Sequence, residues 1–147
     1  MYKLLISSIL ICAGCASSKY DNYTELHTLP NTFDEVSIDR YLLTKYKPLD
    51  LEQIRVIYFK NELLIQESIS EGARYRAIIP VLDIIKQCAL LKCNRVLFVH
   101  NHVACYFAHP SETDFDTTVM LKERFAKIGM ILIAHVVVAD HDTYWIR

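Results

Sequence analysis

Val96-Leu97-Phe98-Val99-His100-Asn101-His102 reads as a buried strand that ends on two histidines. Side chains alternate along a strand, so His100 and His102 point to the same side. Two imidazoles on one side, joined by a carboxylate returning from the next element, occupy three of the four positions around a tetrahedral zinc. The fourth is where a water is activated, and such an arrangement points to a hydrolase.

Downstream of this strand, a loop runs to Pro110-Ser111-Glu112-Thr113-Asp114. Ser111 and Asp114 have capping-box spacing at the start of a helix over Asp114–Lys127, closed by Gly129. A helix cap alone explains both residues. A cap and a ligand can also coexist, because the first helical turn favours an ionised carboxylate, the form a metal requires. A long buried strand follows at Ile131–Ala139, then an Asp140-His141-Asp142 turn and a last strand at Thr143–Ile146.

Upstream, Ala77–Lys92 carries a helical period in Val81, Leu82, Ile84, Ile85, Cys88, Ala89 and Leu91, with Pro80 in the first turn. Gln53–Phe59 and Leu63–Ile69 form a hairpin about Lys60-Asn61, with Gly72 ending the return strand. Phe33–Tyr46 is helical. The order α-β-β-α-β-loop-α-β-β predicts an α/β sandwich, a mixed sheet flanked by helices.

The chain has 147 residues, of which 52% are hydrophobic and 22% charged, enough for one domain with a single core. Its formal net charge of -1 gives no general attraction to nucleic acid, although Arg74 and Arg76 could form a local basic patch. The five cysteines are odd in number and lack the spacing of a disulfide framework. Cys88 and Cys93 read as small buried hydrophobes. Cys105 and His109 read as loop residues rather than ligands.

Residues 1–18 form an apolar leader. Met1-Tyr2-Lys3 precedes an apolar stretch of signal-peptide length over Leu4–Ala13, too short to span a bilayer comfortably. Ala13-Gly14-Cys15 resembles a bacterial lipobox, which would lipidate Cys15 and anchor the chain to a membrane; Cys12 stands where such sites usually carry Leu. A plain apolar first helix is the competing reading. Residues 19–33 read as a linker and 34–147 as the domain.

His100-x-His102, then Pro110-Ser111-x2-Asp114, with Glu67 upstream, resembles the JAMM (MPN-plus) metalloprotease motif. The flanking sequence is closest to the RadC-like branch: Gln66-Glu67-Ser68-Ile69-Ser70-Glu71-Gly72, then Pro80, then Val96 to His102, and a buried strand carrying Ala134-His135. The resemblance covers roughly residues 34–147. It implies an MPN (JAB)-type fold with zinc held by His100, His102 and Asp114. It further implies Glu67 as the general base and Ser111 as a donor to the oxyanion of a peptide or protein substrate. Glu62 and Glu71 compete with Glu67 for the base, and by residue type alone Glu67 is an exposed strand carboxylate.

Two positions and one loop length depart from the family pattern. Val103 replaces the proline after the second histidine, the loop between His102 and Asp114 is one residue longer, and Ala134 replaces an acidic residue. The longer loop is the feature most able to displace Ser111 and Asp114, and an error near 1 Å costs about 100-fold in rate. The resemblance therefore implies a zinc-dependent metallohydrolase. The alternative is a weak or inactive MPN module serving as a protein-interaction or DNA-repair-associated accessory. The family reading implies the cytoplasm, and the leader implies the envelope. The contiguous His-Asn-His does not have the spacing of an HNH nuclease.

Overall fold

The computed structural model describes residues 30–46, 50–71 and 79–147. The apolar leader, Cys15, the Arg74/Arg76 patch and Gly72 lie outside the described residues. The elements run α1 (Glu35–Tyr46), β1 (Gln53–Lys60), β2 (Leu63–Glu71), α2 (Val81–Leu91), β3 (Arg95–Asn101), α3 (Glu112–Ala126), β4 (Ile131–Val138) and β5 (Thr143–Ile146). This is the expected order, with boundaries moved by a few residues.

The strands form one five-stranded mixed sheet in the order β2-β1-β3-β4-β5. β1 pairs antiparallel with both β2 and β3. β3 and β4 are parallel, because α3 is the crossover between them. β5 returns antiparallel against β4. Asn61 takes the left-handed φ of 58° that closes the β1–β2 hairpin. Its amide and side chain pair reciprocally with Asn94 at 2.9 and 3.1 Å, tying the hairpin to the start of β3.

Helices cover both faces of the sheet. On one, Ile38, Tyr41, Leu42 and Tyr46 of α1 pack on Ile57, Phe59, Leu97, Val99, Val136 and Val138. On the other, Ile84 and Cys88 of α2 and Leu121 and Phe125 of α3 pack on Ile54, Val56, Tyr58, Val96 and Phe98. Burial on both faces explains why β1 and β3 read as apolar runs rather than as an alternation. Cys88 and Cys93 both belong to the second layer, as small core residues should. Among the described residues, no helix is long and apolar enough to cross a membrane.

Two pairings of the sheet decide which side chains surround the histidines. The antiparallel register places Ile54, near the start of β1, opposite His100, near the end of β3. The register of β4 against β3 slips by one residue, from Val96↔Leu132 to Leu97↔Ala134. Beyond the slip His135 lies opposite Phe98, on the α2/α3 face; unbroken alternation from Leu132 would turn it to the α1 face.

Candidate metal centre

The site lies at the carboxyl ends of the parallel pair β3–β4, where open α/β sheets usually hold their ligands. β3 delivers His100, and His102 follows just beyond the strand, its backbone N–H donating to Val138 O at 2.9 Å. The first turn of α3 delivers Ser111 and Asp114. The expected capping box forms: Asp114 N donates to Ser111 Oγ at 3.2 Å, and Ser111 N donates to Asp114 Oδ2 at 2.7 Å.

His100 Nε2 lies 3.2 Å from Asp114 Oδ1, and His102 Nε2 lies 3.3 Å from Asp114 Oδ2. The ligand atoms of all three residues fall within 4.8 Å of one another. A ring nitrogen and a carboxylate oxygen this close need a proton or a cation between them. Two imidazole nitrogens and a carboxylate oxygen are donor types that hold such a cation. His100, His102 and Asp114 can therefore hold a metal ion. Burial alone would raise the Asp114 carboxyl, but its contacts with His100 and then His102 outweigh it and hold the group well below the usual carboxylate range. The carboxylate is thus ionised, as a ligand must be.

The longer loop does not separate the two halves of the site. It is pinned to the β4–β5 turn, with Ala108 N donating to Asp142 Oδ1 at 2.6 Å and Asp140 N donating to Cys105 O at 3.0 Å. Tyr106 and Phe107 bulge outward and stay exposed. Cys105 and His109 are exposed and stand outside the metal-binding group, as expected of loop residues.

Glu67 is not brought to this site, which corrects its reading as general base. It pairs with Ile57, whose side chain belongs to the α1 layer, so the sheet stands between Glu67 and the histidines. Its carboxylate accepts from Arg55 at 3.0 Å and from the Tyr41 hydroxyl at 2.5 Å. The next β2 residue, Ser68, turns to the other face and hydrogen-bonds Tyr58. Glu62 forms a salt bridge with Arg95 at the hairpin.

Among the described residues, the carboxylate besides Asp114 that borders the site is Glu52. A cavity of about 310 Å³ opens beside the histidines, lined by Glu52, His100, His102, Ser111, Asp114 and His135 over an apolar floor that includes Ile54, Ile79 and Phe98. Asn101, the middle residue of His-Asn-His, explains how Glu52 is placed. Asn101 is buried; its Oδ1 accepts from Gln53 N at 2.6 Å and its Nδ2 donates to Leu51 O at 3.1 Å. The backbone on both sides of Glu52 is thereby fixed to the strand that carries the histidines. The usable signal was that Glu52 immediately precedes β1, but only the β1–β3 pairing reveals its proximity to His100.

Ser111 lines the cavity, yet its hydroxyl proton goes to Asp114 Oδ2 at 2.8 Å, so in this arrangement it orients the carboxylate. His135 is a further neighbour, entirely buried, with Nε2 2.7 Å from His100 Nδ1. Burial, reinforced by the charge of His100, pushes His135 down to about 3, so it is neutral near pH 7.

The RadC-like JAB domain matches residues 34–146 of this chain. Among curated relatives, a UPF0758 protein of Streptococcus suis is 25% identical over 144 residues, covering 97% of this chain and 58% of the relative. One from Staphylococcus haemolyticus is 26% identical over 105 residues, covering 70% of this chain and 46% of the relative. A UPF0758 protein of Syntrophotalea carbinolica is 33% identical over 81 residues, covering 55% of this chain and 35% of the relative. The chain thus spans about half the length of the curated relatives it matches. The domain match, the mixed sheet with helices on both faces and the His-x-His and Asp group together place it: the chain belongs to the RadC-like JAB domain family.

Proposed function

We propose that this domain is a zinc-dependent hydrolase of amide bonds in peptides or proteins, with Glu52 rather than Glu67 as the proton acceptor. One observation carries the reading. The nitrogens of His100 and His102 converge on the Asp114 carboxylate, beside a cavity that also admits Glu52. Zinc held by His100, His102 and Asp114 would polarise the scissile carbonyl and lower the pKa of bound water to about 7. Glu52 accepts the proton of the attacking water and returns it to the leaving amine. Ser111 holds Asp114 in its ligating orientation, and its hydroxyl borders the space where a carbonyl oxygen would gain charge. Ile54, Ile79 and Phe98 provide the dry wall that strengthens these interactions.

The near-neutral charge offers little support for a phosphate-backbone partner. An inactive interaction module is the competing reading, and the two differ in what Glu52 does. The test is cleavage of a peptide and isopeptide panel by zinc-loaded protein, followed by mass spectrometry. Glu52→Gln should retain zinc and lose about 10²–10⁴-fold in rate. Glu67→Gln should cleave normally. Cleavage unaffected by Glu52→Gln would refute the assignment, and zinc binding with no cleavage of any panel member would favour the interaction module.

A further inference from the structure

The hydrogen bonds behind His100 form a chain whose direction can be worked out. Thr118 lies one turn beyond Asp114 on α3, and its hydroxyl donates to Asp114 O at 2.7 Å. That uses its one proton. The contact of Thr118 Oγ1 with His135 Nδ1, at 2.8 Å, must therefore run the other way, with Nδ1–H donating. Among the described residues no carboxylate hydrogen-bonds the His135 ring, which is 1% exposed, so it carries one proton and its Nε2 is an acceptor. His100 Nδ1, 2.7 Å from that Nε2, must then be the donor. The remaining nitrogen of His100 is Nε2, which is the atom facing Asp114 Oδ1.

We propose that Thr118 and His135 are positioning residues that fix His100 as its Nδ1–H tautomer and so present Nε2 as its ligating atom. The proposal rests on the reading of His100 as a metal ligand. Its second consequence is mechanical coupling. Thr118 bonds the backbone carbonyl of Asp114, so one chain of bonds ties β3, β4 and α3 together behind two of the three ligands. The register slip in β4 is what turns His135 into this chain. Metal-binding histidines generally hand their second nitrogen to an orienting acceptor. Loss of such a partner typically costs 10–100-fold in metal affinity. Here the acceptor is a second imidazole, itself oriented by a hydroxyl whose direction the helix backbone dictates.

The test has two arms. In the wild type, 15N-labelled histidine NMR should show His135 protonated on Nδ1 and bare on Nε2, with His100 protonated on Nδ1. A His135 protonated on Nε2 would overturn the proposal. Chelator competition should then show zinc affinity falling 10–100-fold in Thr118→Val, which keeps the side-chain shape, and restored to within about threefold in Thr118→Ser. Thermal melts would confirm that both variants are folded, and the wild-type NMR arm decides the matter if Thr118→Val is not. Zinc uptake that Thr118→Val leaves unchanged overturns this proposal alone. Absence of uptake by the wild type overturns the metal reading, and this proposal with it.

Discussion

Removing Glu67 should damage the fold and spare the chemistry. Arg55 and Glu67 form a nearly buried pair, their side chains 8% and 13% exposed, on the α1 face of the sheet. Burial works against the charge of Arg55, and the nearby Glu67 carboxylate outweighs it. In Glu67→Ala the guanidinium keeps a 3.3 Å contact to the Tyr41 hydroxyl and the face of the Tyr46 ring at 5.0 Å, but has no counter-charge; its Nε already lacks a partner among the described residues. Breaking a buried pair from one side costs about 3–5 kcal/mol, and the residual support from the two tyrosines puts the expected loss near 3 kcal/mol. With a urea slope of about 2 kcal/mol per molar, the midpoint should fall by about 1.5 M. Because a charge left without its partner is what costs, Arg55→Met combined with Glu67→Leu should recover most of that loss. Urea denaturation followed by circular dichroism gives the midpoints, and zinc titration of the folded variants gives the affinities, which should match the wild type. A Glu67→Ala protein of wild-type stability that has lost zinc or activity would refute the placement of Glu67 behind the sheet.

Other perturbations separate the site's parts. Asn101→Ala leaves the buried Gln53 N–H without its acceptor, so stability should fall by about 1–3 kcal/mol, and cleavage should fall further than zinc affinity because Glu52 loses its anchor. Ser111→Ala removes the helix cap of α3 and should cost about 1 kcal/mol in urea midpoints, with zinc still bound. The metal-free protein should also weaken in acid. His135 titrates near 6.5 when unfolded and at about 3 when folded, so below 6.5 the unfolded chain binds the extra proton. The contribution is complete above pH 6.5 and is lost as pH falls towards 3, at roughly 1.4 kcal/mol per unit, or about 2 kcal/mol by pH 5. Urea midpoints of wild type and His135→Phe across this range should diverge at pH 7 and converge towards pH 5; parallel curves would contradict the assignment.

Much of this was legible in the sequence because it is local. The His100/His102 alternation, the Ser111–Asp114 cap and the helical period around Val81–Leu91 each depend on residues within a few positions of one another. The three metal-binding candidates came from two such local signals, and the structure brings them together despite the longer loop. Glu52 and Glu67 were not separable in this way. Which carboxylate meets His100 depends on which strand lies beside β3 and in which register, and nothing local encodes that pairing. His135 was named only within the flanking resemblance, and its contact with His100 was hidden for a related reason. Alternation read forward from Leu132 assigns it to the wrong face, and only the slip between Val96 and Leu97 corrects the parity. The role of Asn101 was invisible because its partners, Leu51 and Gln53, are long-range backbone groups.

Metal stoichiometry is the sharpest check on the His100/His102/Asp114 centre. Protein purified without chelator and analysed by elemental mass spectrometry should carry about one zinc per chain. His102→Ala and Asp114→Asn should each carry little, while Glu52→Gln and Glu67→Gln remain loaded. Wild-type protein that takes up no zinc when titrated, or that binds it equally well after His102→Ala and Asp114→Asn, would contradict the assignment of these three residues as ligands.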